Sequence, residues 1–536
     1  MTKTNKDGPA RRVEIYDTTL RDGTQAEGVS LSLQDKLLIA EALDGLGVDF
    51  IEGGYPLSNP KDEAFFAEIR KRPLRNAVVA AFGMTRRKGL RAADDDGMKA
   101  LLATETPVVT IVGKTWDMHV REVLRVSEDE NLAMIRDSVE LMVRSGRRTV
   151  YDAEHFFDGW RANPEFAVRT LRAAAEAGAG CLVLCDTNGG ALPEQIIECV
   201  EAAGAALAGV ALGIHCHNDG DLAVANSLAA VAHGVCHVQG TINGIGERCG
   251  NADLTAIIPN LVVKYGHRCL REGTLSRLTE VSRFVYESAN LNLREYQPFV
   301  GASAFAHKGG MHAHAIARNT ATYEHVDPAV VGNRRRVVVS ELSGMSNIAA
   351  KAHGKFKIAD DKNAQKRILQ ALMDLENQGY QFEAAEASFE VLIRKTLGGD
   401  WYHSLWELDH YRCVISRQNG QPSNTEAIVK MIVGGEVKHT VAESGGPVDS
   451  LYQALRAALR QHYPQVDALH LVDYKVRVVN TSAETAAKVR VVIDWRDAAD
   501  EAYFGSVGVS ENIIDASWLA LVDAVEYKLL KVLENN

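Results

Sequence analysis

Two histidines, His215 and His217, stand two residues apart within the run Ala211–His217 (ALGIHCH). On an extended strand alternate side chains leave the same face, so both imidazoles point one way and Cys216 points the other, to pack against a helix. An H-x-H pair by itself fits two packed or surface histidines as well as a pair of ligands. Joined by a carboxylate, it makes a set for a divalent ion such as Zn²⁺, Mn²⁺, Mg²⁺ or Co²⁺, with positions left for a substrate. Asp22, just after the run Val13–Asp17 (VEIYD), is that carboxylate if the fold brings the two runs together.

The surrounding pattern says that it does. Eight short β-type runs recur: Val13–Asp17, Val48–Gly53, Val78–Phe82, Val108–Val112, Thr149–Ala153, Cys181–Asp186, Ala211–His217 and His237–Ile242. Their near-continuous apolar character suits strands buried on both faces of a parallel sheet. Helical segments lie between them. Ser127–Glu130 has the pattern of a capping box with Gly146 closing that helix, Asn163-Pro164 opens a helix closed by Gly178, and Pro193 opens one closed by Gly204. Eight such units predict a closed (β/α)8 barrel; an open doubly wound sheet fits less well, because no G-x-G-x-x-G follows the first strand. In a closed barrel the first strand lies beside the eighth and near the seventh, which unites Asp22 with the histidines. Barrel chemistry gathers at the C-terminal strand ends, and these read Thr18–Asp22, Glu52, Glu154-His155, Asp186–Asn188, His215–Asp219 and Asn243–Asn251.

The chain has 536 residues, 46% hydrophobic and 24% charged, with a formal net charge of −11. That length holds two or three domains when one is a barrel. The acidic balance argues against nucleic acid as a partner. No run is long and apolar enough for a membrane span, and Met1–Arg12 is a polar tail unlike a signal peptide. The eight cysteines form no C-x-x-C pair, so a cytoplasmic protein with reduced thiols is expected.

The organisation predicted is a tail (1–12), the barrel (13–274), helical linker subdomains (275–400) and an α+β domain (401–536). In the linker, Leu275–Leu291 and Asn363–Gln378 are the amphipathic stretches, and Arg334–Arg336 reads as a solvated basic turn rather than a phosphate site. The last part has period-2 strands at Tyr411–Ser416, Ala427–Val433, Tyr474–Val479 and Lys488–Asp494. It also repeats itself: Val448–Leu455 and Ile514–Leu521 align at an offset of 66, each opening a helix after strands, a duplicated β/α unit. Glycines in Ser444–Gly446 and Gly505–Gly508 are expected just before those helices.

The segments Tyr16–Gln25 (YDTTLRDGTQ), His215–Asp219 (HCHND) and Asn243–Asn251 (NGIGERCGN) resemble the signatures of the 2-isopropylmalate/homocitrate synthase family of metal-dependent barrel acyltransferases. Tyr151–Asp158, Cys185–Gly190 and Phe305–His312 are most similar to the branch that condenses pyruvate with acetyl-CoA to (R)-citramalate, the first step of threonine-independent isoleucine biosynthesis. The branches using 2-oxoisovalerate or the homocitrate precursor are the alternatives. The resemblance implies Asp22, His215, His217 and Asn251 as metal ligands, Arg21 and Glu154 as catalytic residues, and Thr187 as the holder of the keto acid's carboxylate. It further implies His312, from the segment after the barrel, and Tyr323 as catalytic partners. Glu154 is expected to orient Arg21 or a water, with His312 nearer the proton transfer. Phe82, Val112 and Tyr151 are the bulky residues expected to close the keto-acid pocket. Two positions depart from the family pattern: His314 replaces an acidic residue, and Asp152 stands at a pocket position usually small or aromatic. A homodimer with isoleucine as effector of the C-terminal domain completes the expectation.

Overall fold

The computed structural model describes the chain apart from residues 1–9, 308–311, 313–314, 317, 338–355, 357–360, 383–384, 421, 480–486, 501 and 536. It divides into two units, Met1–Phe305 with Glu324–Arg335, and Ala306–Tyr323 with Arg336–Asn536.

In the first unit eight parallel strands close into a barrel: β1 (Glu14–Asp17), β2 (Phe50–Glu52), β3 (Val78–Met84), β4 (Val108–Lys114), β5 (Arg148–Glu154), β6 (Cys181–Asp186), β7 (Leu212–Cys216) and β8 (His237–Gly240). Every expected run holds its strand, with ends displaced by no more than two residues. Closure is made by β1 on β8, from Glu14↔His237 to Asp17↔Gly240, so no sheet edge is left open.

Strand parity sorts the side chains into two compartments. Outward residues such as Ile15, Ile51, Val109, Ile111, Leu182 and Ile214 pack under the helices, each fully buried; burial of such a side chain contributes about 1.5–3 kcal/mol. Inward, Tyr16, Phe50, Ala80, Val108, Val150, Cys181, Val183 and Cys185 make one apolar layer. Beneath it Arg148 donates to both oxygens of Glu14, at 3.0 and 2.7 Å, and lies 4.8 Å over the Phe50 ring, while His237 Nδ1 is 3.2 Å from Glu14. The barrel floor is thus an ion pair, and everything polar above the apolar layer belongs to the site.

Helix punctuation is mostly as expected. The Ser127 hydroxyl accepts the Glu130 N–H and opens the helix Glu128–Arg144, but the capping box is only half formed. The Glu130 carboxylate accepts instead from Arg86 and from the Gly89 N–H, a charge-assisted alternative to the weaker N-cap bond. Gly178 has φ +96° just beyond the helix Pro164–Glu176. Gly204 does not close its helix, which runs Pro193–Ala206; burial of Ala203 and Leu207 offsets the ~1 kcal/mol that an interior glycine costs.

The stretch after the barrel forms the helix Leu278–Ser288, whose Ser282 hydroxyl donates to Asn243 Oδ1 at 2.5 Å. Gln297 donates to Asp253 at 2.8 Å, so residues up to Phe305 are tied to the barrel.

In the second unit β9 (Ala306–His307) pairs with β10 (Arg336–Val337), and the helix Lys362–Asn377 precedes Glu386–Leu397. Two antiparallel three-stranded sheets follow. One is β11 (Trp406–Ser416), β12 (Asn424–Val433) and β13 (Glu436–Ser444), and the helix Pro447–Leu459 comes after it. The other is β14 (Leu469–Val478), β15 (Val489–Asp497) and β16 (Ala502–Ser510), followed by the helix Ile513–Asn535. The duplication read from the sequence is therefore a βββα unit used twice. Gly446 is the N-cap of the first repeat helix, as expected. The segment Gly505–Gly508 is not at a helix start: it lies inside β16. A Cβ at Gly508 would fall 2.0 Å from the Ala516 carbonyl oxygen, so its glycine permits strand and helix to touch. Among the described residues no helix is long and apolar enough to cross a membrane.

Candidate active site

The loop after β1 sets the first two functional side chains. The N–H groups of Arg21, Asp22 and Gly23 all point at the Thr18 carbonyl, at 3.1, 2.9 and 3.1 Å, winding the backbone into a tight turn at the barrel mouth. Asp17 braces it by accepting from the Thr19 N–H and hydroxyl, and Thr19 Oγ1 accepts the Ile242 N–H across the closure. The turn leaves Asp22 only 2% exposed beside the end of β7.

There His215 Nε2 stands 3.3 Å from Asp22 Oδ2 and 3.4 Å from His217 Nε2, with His217 Nε2 4.0 Å from the same carboxylate oxygen. Ligand atoms of these three buried residues lie within 4.8 Å of one another. Asn251, 1% exposed, is bridged to His217 through the backbone. It is delivered by Gly250, at φ +95°, where a Cβ would stand 2.0 Å from the Gly244 carbonyl oxygen. Asp22 Oδ2 and Asn251 Oδ1 are both buried without a hydrogen-bond partner. Orphaned acceptors beside two imidazoles are costly unless a cation satisfies them. This donor set fits a divalent ion.

The electrostatics agree. Burial would raise the Asp22 carboxyl, yet the Arg21 guanidinium and His215 hold it far below its usual range. Burial pushes His217 down to about 4, with His215 adding to the shift, so His217 is a neutral donor at physiological pH. His215 goes the other way: burial opposes its charge, but the Asp22 carboxylate outweighs that.

Arg21 is the cation beside the centre. Its Nε donates to Glu52 Oε2 at 2.6 Å, Nη1 is 3.4 Å from Asp22, and the guanidinium sits 3.9 Å over the Phe82 ring. Glu52, fully buried, also accepts from Thr18 Oγ1 at 2.5 Å and Tyr16 OH at 2.7 Å. The sequence marked Glu52 as a strand end but gave it no role, and the orienting of Arg21 expected of Glu154 is done by Glu52. Parity explains it: Tyr16, Thr18 and Glu52 share the barrel interior, one layer below Arg21. Glu154 instead pairs with Lys114 on the neighbouring strand β4.

Parity also corrects Tyr151. It lies between the inward residues Val150 and Asp152 and faces outward, wholly buried under the helices, so it cannot line the pocket. Phe82 has the inward parity expected of a wall residue, as does Val112. The inward neighbour on β5 is Asp152, whose carboxyl burial pushes up to about 7, with the Glu52 carboxylate contributing. It accepts from Gln239 Nε2 at 2.9 Å, and Gln239 Oε1 is 2.9 Å from His215 Nδ1. Gln239 was legible as a polar residue at inward spacing in the run His237–Ile242, a signal the sequence reading passed over.

Thr187 stands at the end of β6 with its hydroxyl accepting the His155 N–H at 2.8 Å, while Arg248 donates to its carbonyl at 2.9 Å and grips Asp219 with both arms. His312 and Tyr323 belong to the second unit, where their rings stack with centroids 3.9 Å apart. His314 lies outside the described residues. Arg335 is taken up by a two-pronged pair with Glu324, in line with a structural basic turn.

Residues 12–285 match the family model described as HMGL-like, residues 299–379 the homocitrate synthase post-HMGL domain-like model, and residues 383–529 the LeuA allosteric (dimerisation) domain. The chain is 50% identical to an (R)-citramalate synthase of Geobacter sulfurreducens over 522 residues, covering 97% of this chain and 98% of that protein. It is 48% identical to the (R)-citramalate synthase of Aquifex aeolicus over 524 residues, 97% and 98% of the two. A 2-isopropylmalate synthase of Methanocaldococcus jannaschii is more distant, 30% identical over 527 residues, 97% and 95% of the two. With a closed barrel, a buried Asp-His-His cluster of a kind that could hold a metal ion, and this identity along nearly its whole length, the chain belongs to the (R)-citramalate synthase family of enzymes.

Proposed function

We propose that the chain condenses pyruvate with acetyl-CoA and water to give (R)-citramalate and CoA, in the cytoplasm, as the first step of threonine-independent isoleucine biosynthesis. The observation that carries this is the meeting of Asp22, His215 and His217 with Arg21 at one barrel mouth. Asp22, His215, His217 and Asn251 would hold a divalent ion, and the chemistry that it would supply is Lewis acidity toward the keto acid. Arg21, always cationic and fixed by Glu52, stabilises the oxyanion that develops as the new carbon–carbon bond forms. Thr187 takes the keto acid's carboxylate through its hydroxyl, and Phe82 limits the space beyond the methyl group. His312, its ring plane set by Tyr323, accepts the acetyl α-proton, and Glu154 positions the water that hydrolyses the thioester. That hydrolysis makes the overall condensation effectively irreversible.

We assign the C-terminal repeats to homodimerisation and to feedback by isoleucine. The duplicated βββα units, the lack of a metal-ligating cluster there among the described residues and the match to an allosteric (dimerisation) domain support this reading.

The test is CoA release with pyruvate, 2-oxobutyrate, 2-oxoisovalerate and 2-oxoglutarate in parallel. The highest kcat/KM is expected for pyruvate. A higher value for 2-oxoisovalerate would make this a 2-isopropylmalate synthase.

A further inference from the structure

A residue in an uncommon backbone conformation stands beside the side chain assigned to the keto acid. His155, just after β5, has φ +55° and ψ +36°. Few residues other than glycine adopt this left-handed region, asparagine, aspartate and histidine more readily than the rest. A side chain persists there where its surroundings fix it. The His155 ring is fixed on two sides: Nδ1 lies 3.4 Å from Asp158 Oδ2, and the His119 ring meets it edge-on with centroids 4.3 Å apart. Turned this way, the His155 N–H donates to Thr187 Oγ1 at 2.8 Å and joins the ends of β5 and β6. Asp158 also accepts from Asn188 Nδ2 at 2.8 Å, and Arg248 donates to the Thr187 carbonyl at 2.9 Å, so Thr187 is held from three directions. Accepting occupies a lone pair of the hydroxyl oxygen, and its own hydrogen remains to be donated.

We propose that His155 is a positioning residue for the keto acid: its left-handed backbone sets the N–H on Thr187 Oγ1 and so turns the threonine hydroxyl to donate to the substrate's carboxylate. An untethered threonine hydroxyl rotates among its rotamers and among any acceptors nearby. With Oγ1 tied to the amide, the rotamer is set and the hydrogen can swing only away from His155. Accepting from the amide also polarises the hydroxyl, which makes it the better donor. Histidine suits the position because it enters the left-handed region and has a ring that His119 and Asp158 can grip. The inference rests on the reading above in which Thr187 takes the carboxylate.

The experiment uses the full-length enzyme loaded with Mn²⁺. The KM values for pyruvate and for acetyl-CoA are measured in His155→Ala, His155→Asn, Thr187→Val and the double variant of His155→Ala with Thr187→Val. Alanine seldom enters the left-handed region, whereas asparagine does. His155→Ala is therefore expected to raise the pyruvate KM by ~2–10-fold, the worth of one hydrogen bond, and to leave that for acetyl-CoA unmoved. His155→Asn is expected to recover most of the loss. In the double variant the alanine is expected to add nothing to Thr187→Val, because both changes remove the same oriented donor. An unchanged pyruvate KM in His155→Ala overturns the proposal, and so does a rise that is equal with and without the Thr187 hydroxyl; both leave the Thr187 assignment standing. An unchanged pyruvate KM in Thr187→Val sinks that assignment and the proposal with it. Should His155→Ala fail to fold, exchange of the His155 amide decides, followed with ¹⁵N-histidine and identified by its loss in His155→Asn. It is expected to exchange faster in Thr187→Val than in Thr187→Ser, which keeps the hydroxyl, and to slow when pyruvate is added to the unsubstituted enzyme. An amide indifferent to both overturns the proposal.

Discussion

Arg21 donates through Nε to Glu52 at 2.6 Å, so the cation at the barrel mouth is anchored from below by a carboxylate with no exposure to solvent. The pairing leaves the guanidinium's Nη groups, one of them 3.4 Å from Asp22, for the oxyanion stabilisation proposed above. Lysine cannot make this anchored, planar contact. Arg21→Lys should therefore lower kcat by ~10²–10³-fold, the range for loss of one preorganised oxyanion donor. Glu52→Gln should lower kcat while leaving KM for pyruvate nearly unchanged, because it disturbs the orientation of a group and not the substrate's own contacts. Steady-state kinetics of both variants checks the split.

Metal dependence follows from the orphaned acceptors at Asp22 and Asn251. Exhaustive chelation should abolish CoA release and re-addition of Mn²⁺, Zn²⁺, Mg²⁺ or Co²⁺ should restore it. His215→Ala or His217→Ala should lose more metal affinity than the ~10–100-fold typical of outer-shell changes while keeping the circular dichroism of the barrel. Metal content is read by elemental analysis; full turnover with none bound would refute the assignment.

Keto-acid choice should yield to Phe82. Each methyl group excluded by a steric wall is worth ~1–3 kcal/mol, about 10–200-fold in specificity. Phe82→Ala should raise the kcat/KM ratio of 2-oxoisovalerate to pyruvate by at least the lower of these factors. The ratio is the proper readout, since Phe82 also packs under Arg21 and its loss will slow both substrates.

Acid sensitivity is expected at the barrel floor. Burial raises the Glu14 carboxyl, but His237 and Arg148 more than offset that and bring it to about 2, from an ordinary value of 4.5. A carboxyl depressed by folding stabilises above its unfolded value and loses that contribution as pH falls toward the folded one. The Glu14 contribution is therefore full at pH 7 and fades between about pH 4.5 and 2. Solvent screening at this partly open site leaves it at about 1–2 kcal/mol. Glu14→Gln should lower Tm at pH 7 and lower it much less at pH 3. An equal loss at both values would contradict the ion-pair account.

The two repeats offer a paired test. Gly508→Ala places a methyl group against the Ala516 carbonyl oxygen and should cost ~1–3 kcal/mol or more, seen as a lower Tm of the C-terminal transition. A Cβ at Gly446 meets nothing within 4 Å, so Gly446→Ala should stay within ~0.5 kcal/mol. That makes Gly446→Ala the variant in which to measure isoleucine binding by calorimetry and its effect on turnover. A regulated enzyme should show a coupling of ~1–3 kcal/mol, or about 5- to 150-fold in apparent affinity.

The barrel was legible because eight short runs read as near-continuously apolar, and because polar residues collect at their ends. Asp22, His215 and His217 were legible for the same reason, since closure sets β1 beside β8 and so near β7. What escaped was the layer just below the rim. Tyr151 looked like a wall because it is bulky, whereas its neighbours Val150 and Asp152 own the inward parity. Glu52 and Gln239 each bond to another side chain of the site, and spacing along one strand does not show a partner on a strand across the barrel. The missed strands β13 and β16 failed differently: in β16, Gly505 and Gly508 interrupt the alternation, though Gly508 is there for contact with a helix.

The proposed ligands sit on both sides of the seam where β1 meets β8, with Asp22 after the first strand, the histidines at the end of the seventh, and Asn251 after the last. During synthesis the earliest of these leaves the ribosome long before the latest. A partial chain that ends before Asn251 therefore lacks part of the proposed ligand set. On the proposed ligand set, loading should follow barrel completion, and a bound ion would clasp the joint that completed it. Release of the ion and fraying of that joint should then be one event, and hydrogen exchange of the β1 and β8 amides should quicken together when metal is withdrawn.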